Sequence, residues 1–223
     1  AAEKYYSPGM SLPVTAFLRV VPEEVETTKS GKVRHVCELE LYNATQRTGL
    51  HVNSRWVPLE TDVSTPLAYS LNDKSFQKAN LATPGLLNPA KTQAVQGLYM
   101  LEPYDPRKIP VVMVHGFWSS LVTWMEMFND LRGSPEIRDN YQFWFYLYPT
   151  GVPPLFTAAH LRQELADARQ TLDPYRERTA LDQMVLVGHS MGGLVSKLQT
   201  LSSRDDYWKM VSPGNLSALK ASD

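Results

Sequence analysis

Val185-Leu186-Val187-Gly188-His189-Ser190-Met191-Gly192-Gly193 joins an apolar run to a Gly-x-Ser-x-Gly pattern, and a helix-like periodicity follows. Residues 183–187 are short and largely apolar with two β-branched valines, which predicts a parallel strand buried on both faces. Leu194, Val195, Leu198 and Leu201 recur at helical spacing and predict one apolar face. Gly188 and Gly192 suit a strand-to-helix corner whose serine holds a strained backbone, where side chains on either flank would strike neighbouring backbone. The helix then presents its free N–H groups beneath Ser190, that of Met191 first, and such groups stabilise developing negative charge. Taken alone, the five residues also suit a tight turn whose serine only caps the helix.

Two further features decide between these readings. Ile109-Pro110-Val111-Val112-Met113-Val114 is a second buried-strand run, and it ends in His115-Gly116-Phe117-Trp118. A glycine directly after a strand lets the loop turn sharply and leaves the Phe117 N–H free to point into a cleft, as a second donor beside Met191. His115 itself reads as a loop residue bonded to backbone. The second feature is rhythm. Ser119 or Ser120 can cap a helix bearing Leu121, Trp124, Phe128 and Leu131 on one face, stopped near Gly133-Ser134-Pro135. Residues 141–148 form an aromatic strand, and Leu161, Leu165, Ala168 and Leu172 mark another amphipathic helix before Asp173-Pro174. Strands alternating with helices predict a parallel sheet with right-handed crossovers, whose carboxyl edge carries both the serine and the His-Gly loop.

Residues from about 96 to 203 resemble the central part of an α/β-hydrolase, in its lipase and esterase branch, through His115-Gly116-Phe117 and Gly188-His189-Ser190-Met191-Gly192-Gly193. The resemblance implies that Ser190 is the nucleophile and that the amides of Phe117 and Met191 form the oxyanion hole. It implies acyl transfer from a small-molecule or lipid ester through a Ser190 acyl-enzyme, with no cofactor. His189 occupies the variable position before the serine and takes no catalytic role. Trp118, Leu155 and Phe156, with Phe117 and Val152, fall on loops expected at the same edge and form a candidate acyl pocket.

In this fold the acid and the histidine follow the serine. Here Asp205, Asp206 and Asp223 follow Ser190 and no histidine does; His35, His51, His115 and His160 lie upstream, with His160 read as a solvated position on a surface helix. The expectation is therefore an incomplete α/β-hydrolase sheet with flanking helices, short of later strands, whose activity belongs to a full-length parent. An Ala1-Ala2 start and a turn-then-helix pattern over 212–220 read as the ends of a fragment. The alternative is a non-catalytic interaction protein that keeps the scaffold and binds a partner through its leading region.

That leading region, residues 1–95, reads as β-rich and of unassigned role, ahead of a partial hydrolase domain over 96–223. Strands are expected over 12–20, 33–41, 52–59 and 65–71, with a charged loop over 23–32 and a linker over 80–92. In the second strand His35, Cys37, Leu39 and Leu41 make an apolar face, so Cys37 reads as a buried thiol. A net charge of −1 and a pI near 6.6 argue against nucleic acid as the partner. No segment approaches the roughly 18 apolar residues of a membrane span. Five histidines lack metal-ligand spacing, and no glycine-rich phosphate loop occurs. The chain reads as soluble, with a start that also suits a processed exported protein; oligomeric state is not legible.

Overall fold

The structure, a computed structural model, describes residues 2–6, 10–22, 35–72, 82–202, 209–210 and 212. The charged loop over 23–32, Asp205, Asp206, Asp223 and the turn and helix over 213–220 lie outside the described residues. The strands are β1 (Val14–Pro22), β2 (His35–Asn43), β3 (Gly49–Val52), β4 (Arg55–Pro58), β5 (Gly97–Met100), β6 (Ile109–Val114), β7 (Tyr141–Leu147) and β8 (Val185–Gly188). The helices of more than one turn are α1 (Ser64–Asn72), α2 (Ala82–Leu87), α3 (Met125–Gly133), α4 (Pro135–Asn140), α5 (Pro154–Leu172) and α6 (Met191–Lys197).

The apolar runs at β6 and β7 make the centre of a four-stranded sheet ordered β5-β7-β6-β8. Their side chains alternate between two layers, as the period of a strand requires. Val112, Val114, Trp144, Tyr146 and Tyr148 face α5 and α6, joining Leu161, Ala168 and Val195. Val111, Met113, Phe143, Phe145 and Leu147 face the other way, against Leu121, Trp124, Met125 and Phe128 on the turn before α3 and on α3 itself. The molecule is thus an α/β protein with helices on both faces of its sheet. Residues from the leading region enter both layers: Tyr5 packs in the first and Leu67 of α1 in the second.

Three readings of the sheet need correction. It is mixed, because β5 runs antiparallel to β7 while β6, β7 and β8 are parallel. The strand before Ser190 is not buried on both faces: among the described residues β8 pairs only with β6, stands at the sheet edge, and leaves Val185 exposed. For the same reason the helical face after Ser190 divides, with Val195 buried and Leu194 and Leu201 exposed among the described residues.

The leading region departs further. The expected strand over 52–59 is the second arm of a tight hairpin, β3 against β4, turned at Asn53 and Ser54 with positive φ. Residues 65–71 form helix, not strand. Asp62 accepts the N–H groups of Ser64 and Thr65 at 3.0 and 2.9 Å, and Pro66 sits in the first turn where no N–H is needed. The expected linker over 80–92 contains α2 and a single helical turn at Pro89–Thr92. β1 and β2 pair antiparallel and place Val14, Leu18 and Val20 beside Cys37, Leu39 and Leu41, the apolar face expected. That face is uncovered among the described residues, so Cys37 is an exposed thiol rather than a buried one. No helix of the described residues is long and apolar enough to cross a membrane.

Candidate active site

The register Val114↔Gly188 brings the carboxyl ends of β6 and β8 side by side, and His189 donates its N–H to the Val114 carbonyl at 3.1 Å. The chain leaves β6 toward β7 on one side and returns past it to β8 on the other. Loops at such a reversal of strand order open a crevice at the carboxyl edge. The loops that meet there are those carrying His115-Gly116-Phe117-Trp118 and His189-Ser190-Met191.

Ser190 occupies the corner between β8 and α6 with φ 53° and ψ −122°, a conformation L-residues rarely adopt. The residue is exposed, so its hydroxyl stands at the tip of the turn. The two elbow glycines are required by contact. A Cβ on Gly188 would meet the backbone of Gly192, its carbonyl carbon lying 2.6 Å away, and one on Gly192 would meet the carbonyl oxygens of Val114 and His115. Gly116 closes the arrangement: a Cβ there would lie 2.8 Å from His189 Nδ1 and 3.0 Å from Ser190 Cβ. The His-Gly loop therefore rests directly on the serine corner.

Neither the Phe117 nor the Met191 amide donates a hydrogen bond among the described residues. The loop around Phe117 is tied down on its far side. Trp118, itself at φ 51°, donates its N–H to Thr150 Oγ1 at 3.3 Å and its indole N–H to Thr83 Oγ1 at 3.2 Å. Thr83 belongs to α2, so the leading region supports the site loops; Gly151 N–H reaches the Gly85 carbonyl of the same helix at 3.0 Å.

The candidate acyl residues are exposed at the surface rather than buried in a wall. Trp118, Leu155 and Phe156 are 63%, 59% and 70% exposed. Leu155 and Phe156 are also not loop residues: Pro153-Pro154 ends the loop, and Pro154 opens α5 at a position where proline is at ease. His160 is not solvated but half-buried, its ring nitrogen 3.2 Å from the Tyr146 hydroxyl. Ser190 Oγ makes no hydrogen bond among the described residues, and no imidazole is bonded to it. Ser119 and Ser120 do not cap the following helix through their side chains; Ser119 Oγ instead pairs with Thr123 Oγ1 at 2.5 Å.

His115 is fully buried behind this loop. Its ring stacks on Tyr148, with centroids 4.3 Å apart and 13° between planes. Burial pushes its pKa down from the ordinary value to about 4, only partly opposed by a hydrogen bond to the Gly116 carbonyl. The unfolded imidazole titrates near 6.5, so between the two values the unfolded chain binds more protons. His115 thus lets stability stand in full above about pH 6.5 and lowers it as pH falls toward 4, by about 3 kcal/mol. Urea unfolding at pH 7 and pH 4 checks this: the wild type should lose about that much more than His115→Asn, and equal losses would contradict a neutral buried imidazole.

Comparison of the chain with protein-family models, curated proteins and solved structures gave no match. What the site can do therefore rests on its own geometry.

Proposed function

We propose that this chain carries the nucleophile and oxyanion hole of a serine ester hydrolase built on an α/β-hydrolase scaffold. The observation that carries the reading is the strained, exposed Ser190 at a strand-to-helix corner, with the Gly116 loop packed against its Cβ. Ser190 Oγ attacks the ester carbonyl, and the carbonyl oxygen takes charge against the amides of Phe117 and Met191. The alcohol leaves, and water then releases the acid from the Ser190 acyl-enzyme. The exposed side chains of Trp118, Leu155 and Phe156 suit a substrate with an apolar acyl group, from a small-molecule or lipid ester.

The hydroxyl needs a base to accept its proton. No imidazole is bonded to Ser190 Oγ among the described residues, so the structure does not assign this base. The same observation favours the second reading, an interaction protein that has kept the scaffold without the chemistry. Pre-steady-state hydrolysis of p-nitrophenyl butyrate by the complete gene product separates the two. The hydrolase reading expects a burst of one nitrophenolate per chain followed by slower turnover. Absence of any turnover supports the interaction protein and overturns the enzyme.

A further inference from the structure

The peptide units on either side of Gly116 are both held by side chains from behind the site. His115 Nε2 faces the Tyr148 N–H at 3.3 Å, and a backbone N–H can only donate, so Nε2 is the acceptor of the ring. A neutral imidazole carries one proton, which must then sit on Nδ1. Nδ1–H points at the Gly116 carbonyl, 3.0 Å away. The Tyr148 hydroxyl donates to the His115 carbonyl at 2.6 Å. One aromatic pair therefore grips two successive carbonyls.

In a trans peptide the C=O and the N–H of one unit point in opposite directions. No peptide bond among the described residues is cis. The Gly116 carbonyl belongs to the same unit as the Phe117 N–H. Turning that carbonyl back onto the His115 ring turns the Phe117 N–H away from the ring. Glycine resists such a rotation least of all residues, so an untethered Gly116 would let the unit turn over and take the donor with it. We propose that His115 and Tyr148 are positioning residues: their hydrogen bonds to the Gly116 and His115 carbonyls lock the loop so that Phe117 N–H is held ready for the oxyanion. This rests on Ser190 being the nucleophile. It gives the buried histidine of the His-Gly pair a role that is neither base nor nucleophile. Stacking and burial serve the same end, because a protonated ring would lose the acceptor that Tyr148 N–H requires.

The test uses the complete gene product with p-nitrophenyl butyrate and a fluorophosphonate. His115→Phe keeps the stack and removes the Nδ1 donor; His115→Asn places an amide N–H near the Nδ1 position. The expected result is a kcat about a hundredfold lower in His115→Phe, the size of losing one oxyanion donor, with KM within about threefold. His115→Asn should recover to within about tenfold of wild type. Nitrogen-15 spectra of the imidazole should show the proton on Nδ1 at neutral pH. Unchanged kcat in His115→Phe, an Asn variant as poor as Phe, or a proton on Nε2 would each overturn the proposal. If His115→Phe does not fold, Tyr148→Phe decides, since it removes one hydroxyl and keeps the ring; it should lower kcat about tenfold, and no change overturns the clamp. A wild type that forms no Ser190 adduct overturns the nucleophile and the clamp with it. A wild type that forms one no faster than His115→Phe overturns the clamp alone.

Discussion

Ser190→Ala is expected to lower kcat for ester hydrolysis by roughly 10^4- to 10^6-fold, the loss typical of removing a catalytic serine. The fold should not notice. Alanine keeps the Cβ that rests near Gly116, so the corner retains its shape and the φ of 53° costs the same. The hydroxyl makes no hydrogen bond among the described residues, so its removal leaves no described partner unpaired. Urea unfolding should therefore agree with wild type within about 0.5 kcal/mol. Ser190→Gly provides the complementary result. It also removes the nucleophile, but it relieves the left-handed conformation and should raise stability by about 1 kcal/mol. Steady-state kinetics and urea midpoints on the three proteins check both halves. Activity retained in Ser190→Ala would mean that the strained corner serves something other than a nucleophile.

Gly192→Ala should be the most damaging single methyl group in the site. Its Cβ would fall against the Val114 carbonyl and 2.5 Å from the His115 carbonyl oxygen. Neither oxygen is free to move: the first accepts His189 N–H at 3.1 Å, the second the Tyr148 hydroxyl at 2.6 Å. Relief requires α6 to back away from β6, which breaks the seat of the serine corner. Overpacking of this kind costs about 1–3 kcal/mol, and losing a buried hydrogen bond adds about 1 more, so a loss of roughly 3 kcal/mol is expected. Gly193→Ala is the matched control. Its nearest neighbour is the Gly188 carbonyl at 3.6 Å, an ordinary contact, and alanine there should gain up to about 1 kcal/mol of helix propensity. Urea midpoints moving in opposite directions for adjacent glycines would establish that contact at residue 192, rather than helix propensity, sets the requirement.

What was legible in the sequence follows from the range over which each signal acts. The runs at β6 and β7, the helix α5 and the paired motifs at 115–118 and 188–193 are local patterns strong enough to define their own structure. Strand direction is not local, and nothing in Gly97-Leu98-Tyr99-Met100 states that β5 lies antiparallel beside β7. Edge position is not local either, so β8 read as a buried strand although its outer side has no partner among the described residues. The apolar content of residues 65–71 suits either period; Asp62 two residues before Ser64, with Pro66 in the first turn, is the available helix signal. Likewise Pro153-Pro154 read as a loop when the second proline opens a helix. The hydrogen bonding of His115 to backbone is legible from its place directly after a strand. Its partner Tyr148 and the supports Thr150 and Thr83 come from other elements, and no spacing rule links them to it.

The most direct measurement is the site of covalent modification. The complete gene product is treated with a fluorophosphonate, digested and mapped by mass spectrometry. The account predicts one adduct per chain, on Ser190, and none in Ser190→Ala. An adduct on another residue, or equal labelling of Ser190→Ala, would contradict it.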